Sequence, residues 1–288
     1  MKKVLITGAN SYIGTSVEKY IAEHYAGECA FDTLDMQDGS WRQTSFAGYD
    51  AVFHVAGIAH SDSGKISKEK AALYYSVNTD LAVETATKAK ADGVKQFIFM
   101  SSAIVYGESA KIGKQKVITK DTPVSPANAY GDSKVQAENG IVPLQDESFK
   151  VCILRPPMIY GKGCKGNYLS LRKFALKMKL FPYVKNERSM LYIDNLCEFV
   201  RLMIVNEESG IFFPQNSEYT NTSEMVKLIA AAHGRKLKLM RGTTWAVRFM
   251  GLFTGLVKKA FGNLTYDTTD RCTWFSLQES IVRTEAND

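Results

Sequence analysis

At 288 residues, with 45% hydrophobic and 23% charged content, the chain has the composition of an ordinary soluble globular protein and can bury a sizeable core. Its formal charge of +6 would suit a polyanion, yet no nucleic-acid module, internal repeat or low-complexity tract accompanies it, so nucleic acid is not expected as a partner. Cys29, Cys152, Cys164, Cys197 and Cys272 are an odd, scattered set without a Cys-x-x-Cys pair, which argues against zinc or redox exchange and fits a reducing cytoplasm.

The first residues have too short an apolar run for a signal peptide, and Val4–Thr7 reads as a strand. Behind it, Gly8, Ser11 and Gly14 take the three spaced positions of a glycine-rich turn leading into a helix. Such a turn brings backbone amides and a helix amino terminus onto a pyrophosphate, with Asn10, Tyr12 and Ile13 completing the cradle. Position 11 departs from the usual glycine: a serine Cβ crowds the close approach to phosphate, and its hydroxyl can donate instead. A second strand, Ala30–Leu34, should carry an acid near its end that accepts from the adenosine ribose and repels a 2′-phosphate. Asp35, with Met36 beside it, is favoured over Asp32, and the choice favours NAD over NADP.

Further strands at Ala51–Val55, Phe97–Ser101 and Lys150–Leu154 alternate with helix-like stretches at Ala71–Ala91 and Ser133–Gln145, which predicts a mostly parallel, doubly wound sheet. Ser101 and Ser102 stand at a carboxyl strand end, where open α/β sheets gather their sites. Tyr130 and Lys134, four apart at the start of a helix, share one face. An ammonium there stabilises phenolate and pulls the tyrosine down from its reference near ~10, while Ser102 hydrogen-bonds the reacting oxygen. The three residues suit acid/base work on a carbinol or ketone: Tyr130 takes a proton as hydride leaves for nicotinamide, or returns it.

After Tyr160, Gly161, Gly163 and Gly166 punctuate a loop, and Tyr168–Leu180 reads as a helix. An amphipathic stretch at Asn195–Asn206 and a late strand at Gly210–Pro214 follow. Eight basic residues (Lys162, Lys165, Arg172, Lys173, Lys177, Lys179, Lys185 and Arg188) face one acid, Glu187, in this stretch. They are either a solvated helix face or a site for a phosphate-bearing substrate. Trp245–Phe261 places Arg248, Gly251, Gly255 and Lys259 on one helical face and Phe249, Met250, Phe253, Leu256 and Val257 on the rest. Burial of that apolar face against the domain is favoured over a peripheral membrane or dimer contact, and the segment is no transmembrane span.

With the turn, the Ser102/Tyr130/Lys134 set, Asp50–Gly57, Val77-Asn78, Arg155–Gly161 and Tyr192–Asn195, the chain resembles an extended short-chain dehydrogenase/reductase, specifically the NAD-dependent epimerase/dehydratase family that modifies nucleotide sugars. The resemblance implies a Rossmann-like α/β fold with a doubly wound parallel sheet and a smaller, mostly helical substrate-binding region. Residues 1–160 and 190–214 would bind NAD, and 161–189 with 215–288 would bind substrate and close over the sheet's carboxyl edge. It also implies that Val55, Ala56, Gly57, Asn78 and Ser101 serve the cofactor site, with Pro156 and Met158 near the nicotinamide. Asn167 and Arg188 are candidates for the nucleotide diphosphate; His54 looks structural, and His60 could line the sugar pocket. The family's sugar dehydratases follow the triad serine or threonine with Asp-Glu, whereas Ala103 and Ile104 here cannot transfer protons. That leaves redox at a sugar carbon, most simply C4, by an epimerase or a ketoreductase, in a cytoplasmic homodimer. A non-catalytic dinucleotide sensor or RNA-associated protein on the same fold is the alternative, against which the intact triad stands.

Overall fold

The computed structural model of the chain describes residues 1–59, 66–253, 257, 260–267 and 270–286. They form two compact units: Met1–Gly107, Val124–Pro156 and Leu196–Pro214 in the first, and Glu108–Pro123, Pro157–Asn195 and Gln215–Asp288 in the second.

The first unit is built on β1 (Lys2–Thr7), β2 (Cys29–Leu34), β3 (Ala51–His54) and β4 (Gln96–Met100), joined by the strands Lys150–Leu154 and Gly210–Phe212. All six run parallel, in the order Gly210–Phe212, Lys150–Leu154, β4, β3, β1, β2. Every residue of β3 and β4 is buried, which is why these strands read as unbroken apolar runs: a parallel sheet is covered on both faces. Helices α1 (Tyr12–His24), α2 (Lys68–Tyr74), α3 (Leu81–Ala91) and α4 (Ala129–Ile141) belong to the same unit. On one side Leu5, Val52, Phe97, Phe99, Val151 and Ile153 pack with Ala82, Ala86 and Ala89 of α3 and Ala137 and Ile141 of α4. The small alanines let helix backbones approach, and each large side chain buried there contributes roughly 1.5–3 kcal/mol. The register aligns Thr7 with Leu34 and His54, and Met100 with Leu154, so the carboxyl ends form one edge.

Two helices differ from the periodicity of the sequence. The continuous helix expected over Ala71–Ala91 is broken by a π turn at Tyr75–Asp80, a wider coil that brings the buried Asn78 onto the segment after β3. The helix expected from Ser133 begins four residues earlier, because Asn128 accepts a hydrogen bond from Gly131 N at 2.9 Å and caps it. Tyr130 therefore lies in its first turn.

In the second unit, pairs of short parallel strands join Met158–Tyr160 to Met190–Tyr192, Leu180–Pro182 to Lys238–Met240, Gln215–Asn216 to Arg271–Cys272 and Val117–Ile118 to Thr265–Tyr266. Its helices are Asn167–Lys177, Thr222–Ala232, Thr244–Phe253 and Leu277–Glu285. The helix expected to reach Leu180 stops at Lys177, since Leu180 pairs as a strand with Lys238. The almost fully buried Glu285 carboxylate accepts from Tyr168 Oη, Arg172 Nε and His233, each at 2.6 Å, tying the last helix to two others. On the helix Thr244–Phe253, Val247 is buried but Trp245 and Phe249 are 75% and 60% exposed. The apolar face expected to pack wholly inward is therefore only partly covered; Gly255, Leu256 and Lys259 lie outside the described residues. Among the described residues no helix is long and apolar enough to cross a membrane.

Candidate active site

The turn after β1 is drawn against the end of β2, where Gly8 N and Ala9 N both donate to Leu34 O, at 2.9 and 3.2 Å. Gly8 has φ of +118°, and a Cβ there would lie 2.7 Å from Ala56 N, so both its conformation and its neighbour exclude a side chain. Asn10 is left-handed as well, with φ of 59°, and exposed. Ser11 is the cap of α1: its Oγ accepts from Gly14 N at 3.2 Å, which explains a serine where the pattern has glycine. Gly14 lets α1 seat on β1, since a Cβ would come within 2.9 Å of Ile6 Cγ2. With Tyr12 and Ile13 in the first helical turn, the segment offers backbone N–H groups and a positive helix end, and it fits a dinucleotide pyrophosphate.

The two candidate acids separate clearly. Asp32 lies within β2, opposite Leu5, and accepts from Tyr49 Oη at 2.8 Å. Asp35 lies just past the strand, exposed, beside the Leu34 carbonyl that anchors the glycine turn; it accepts from Gln37 N at 3.0 Å. Met36 is buried beneath it in the core. Across the edge, Val55 N and Ala56 N donate to Thr7 O, and Gly57 is exposed. Asn78 clamps the next residue, accepting from Ile58 N at 2.8 Å and donating to Ile58 O at 3.2 Å and to Ser133 Oγ at 3.1 Å. Its amide is engaged with the protein itself, so Asn78 shapes the loop after β3.

At the end of β4, Ser101 N donates to Leu154 O, and Ala103 N to Pro156 O. Ser102 is extended and caps the short turn Ala103–Tyr106, accepting from Ile104 N at 3.3 Å. Its hydroxyl also hydrogen-bonds the Tyr130 phenol, whose ring lies 5.7 Å from that of Tyr74. Lys134 Nζ donates to Met100 O at 2.8 Å and stands over the Phe99 ring. Burial pushes its ammonium down to about 8, with the Glu138 carboxylate pulling the other way. The phenol of Tyr130 moves opposite to the direction expected from the sequence: burial pushes it up, and the Ser102 hydrogen bond only partly offsets this. The reason is geometric, for the Lys134 ammonium is directed at a strand carbonyl. His54 is structural; its Nδ1 bonds Thr7 Oγ1 at 2.8 Å between the Phe97 and Phe99 rings, and burial pushes it down to about 3.

A hydroxyl, a phenol and an ammonium thus gather at the strand edge that carries the glycine turn, and the model of the NAD dependent epimerase/dehydratase family matches residues 4–212. The chain belongs to that family. It is 29% identical over 312 residues to UDP-glucose 4-epimerase of Vibrio cholerae, covering 98% of this chain and 94% of that protein. It is 27% identical over 256 residues to N-acetyl-alpha-D-glucosaminyl-diphospho-ditrans,octacis-undecaprenol 4-epimerase of Escherichia coli O157:H7, covering 82% of this chain and 74% of that one. Among solved structures, RMD from Pseudomonas aeruginosa, complexed with NADPH, shares the fold at a TM-score of 0.72 and 18% identity, over 99% of this chain and 98% of that one.

Within this epimerase/dehydratase chain the remaining expected residues are dispersed. Pro156 is buried and accepts from Ala103 N, and Met158 pairs with Met190 in the second unit. Asn167 is exposed at the first turn of its helix. Arg188 donates to Gly262 O at 2.8 Å and Ser109 Oγ at 3.3 Å, and burial pushes its guanidinium down to about 10. The other cations of that stretch do not converge on it: Arg172 pairs with Glu285, and Lys173, Lys177, Lys179 and Lys185 are exposed, as on a solvated face. His60 lies outside the described residues. One feature that the sequence does not announce is the buried pair of Glu138, one helical turn beyond Lys134, and Arg155. Its only linear trace is an acid four residues after the lysine.

Proposed function

We propose that this enzyme transfers hydride at C4 of a nucleotide sugar, a UDP-hexose or UDP-N-acetylhexosamine, as an NAD-dependent 4-epimerase or 4-ketoreductase in the supply of surface-polysaccharide precursors. The observation that carries the reading is the gathering of Ser102, Tyr130 and Lys134 at the end of β4, on the same strand edge as the Gly8–Gly14 cradle. Ala103 and Ile104, which hold no transferable proton, stand where a dehydratase would need its acid and base. The names of the two relatives point to position 4 of a hexose. The surroundings of Asp35, an exposed carboxylate next to the turn, favour NAD because a 2′-phosphate would meet like charge.

When bound, the nicotinamide accepts hydride from the sugar carbon and can give it back. Tyr130 Oη takes the carbinol proton in the oxidation and returns it in the reduction, with the Ser102 hydroxyl donating to the same oxygen site. Lys134, one helical turn along α4 from Tyr130 and donating to Met100 O, adds positive charge to the site as the proton moves. Tyr130→Phe tests the assignment: turnover of UDP-glucose or UDP-N-acetylglucosamine should fall by about 100-fold or more while NAD affinity stays within roughly twofold. A variant that turns over as fast as the parent refutes it.

A further inference from the structure

The face of α4 that carries Tyr130 and Lys134 continues to Glu138, since positions spaced by four stack along a helix. Each of the three engages a different residue at the β4 end. Tyr130 meets the Ser102 hydroxyl, Lys134 donates to Met100 O at 2.8 Å, and Glu138 accepts from Ser101 Oγ. The Glu138 carboxylate is fixed from behind by Arg155, whose Nε donates to Oε1 at 3.1 Å and whose Nη2 donates to Oε2, while Nη1 donates to the Tyr106 phenol. Glu138 is 4% and Arg155 7% exposed. Burying two charges costs desolvation that even a bidentate pair barely offsets, so such a pair is poor at stabilising a fold. Helix α4 is already held by Ala137 and Ile141 in the core. The pair therefore needs a reason other than stability.

We propose that Glu138 is a positioning residue for the acid/base site: held by Arg155 and Ser101, its carboxylate keeps the Lys134 ammonium charged and seated on Met100 O behind Tyr130. The proposal rests on the catalytic reading given above. The surroundings of Lys134 show why a carboxylate is needed. From β3, His54 is neutral because burial holds it near 3; from β4 come the Met100 carbonyl and the Phe99 ring. On α4 itself the neighbours are Tyr130 and Glu138, and from the end of Lys150–Leu154 the Arg155 cation reaches Glu138 and Tyr106. Burial opposes the charged lysine, and Glu138 opposes the burial.

The test uses full-length protein with 13Cε-labelled lysine, the Lys134 signal being assigned by its loss in Lys134→Arg. Two variants are compared with the parent: Glu138→Gln, and the double variant Glu138→Leu with Arg155→Met, which removes both buried charges and leaves neither unpaired. In each, the Lys134 titration should move down by about one pH unit, and the alkaline limb of kcat/KM for the UDP-sugar should move with it. The double variant should melt at or above the parent temperature and still turn over roughly tenfold more slowly. An unchanged Lys134 titration, or a double variant with parental turnover and pH profile, overturns the proposal and makes the pair merely structural. The titration is read without substrate, so absence of turnover in the parent would count against the proposed activity alone.

Discussion

At the scale of single residues, Gly8 shows how little freedom the glycine-rich turn has. Its φ of +118° is strained for any L side chain, and an added Cβ would lie 2.7 Å from Ala56 N and 2.9 Å from Ala56 Cα, both rigid backbone atoms. Either effect alone costs on the order of 1–3 kcal/mol, and the turn can relax only by moving off the edge where it meets β2 and β3. Gly8→Ala should therefore lose at least roughly tenfold in NAD affinity, which is 1.4 kcal/mol, and melt a few degrees lower. Fluorescence titration with NAD measures the first; parental affinity would show that the turn does not hold the dinucleotide. This residue was legible from the sequence because the glycine spacing states a backbone requirement. Ser11 was legible only as an anomaly, and its capping bond to Gly14 N supplies the reason. For Arg188, which the resemblance offers to a nucleotide diphosphate, the sequence does not say what is within reach: here it donates to the Gly262 carbonyl and the Ser109 hydroxyl.

At the scale of elements, the strands of the six-stranded sheet were legible, whereas helix interruptions and the short paired strands of the second unit, expected to be mostly helical, were not. The buried runs Ala51–His54 and Lys150–Leu154 announce themselves because a parallel sheet leaves no polar face. The π turn at Tyr75–Asp80 obeys a tertiary demand, that Asn78 reach Ile58, and no local propensity encodes it. Glu138 and Arg155, 17 residues apart, likewise become partners only when α4 lies on the strand that precedes Arg155. The end of β3 carries a pH prediction. His54 is held near 3 by burial against a reference of 6.5, so between these values the unfolded chain binds more protons than the folded one. Stability from this residue is complete above pH 6.5 and falls as pH drops toward 3, by up to about 5 kcal/mol. Urea unfolding at pH 7, 5.5 and 4.5 should show this loss in the parent and a flatter profile in His54→Gln; parallel profiles would mean that His54 is not buried neutral.

At the scale of the whole molecule, the net charge of +6 explains less than it suggests, since the lysines of residues 173–185 are exposed and Arg172 and Arg188 are already bonded within the protein. The proposed function rests on the first unit, where six parallel strands bring the glycine turn, Asp35 and the Ser102/Tyr130/Lys134 set to one edge. On the proposed reading, that edge would serve either a closed cycle, in which the same cofactor molecule is reduced and reoxidised at one sugar, or an open one, in which reduced cofactor is consumed. The two differ in stoichiometry, and purified protein can be read directly. Native mass spectrometry should find NAD retained, and incubation with UDP-glucose or UDP-N-acetylglucosamine, without added cofactor, should yield the 4-epimer if the cycle is closed. Stoichiometric loss of NADH absorbance with a UDP-4-keto-hexose, and no interconversion of UDP-hexoses, would identify the open form. On that reading both include the reduction of a C4 ketone, and both would route the proton through Tyr130. Preferential use of NADPH in either assay would contradict the role proposed for Asp35, an exposed carboxylate that accepts from Gln37 N and would meet a 2′-phosphate with like charge.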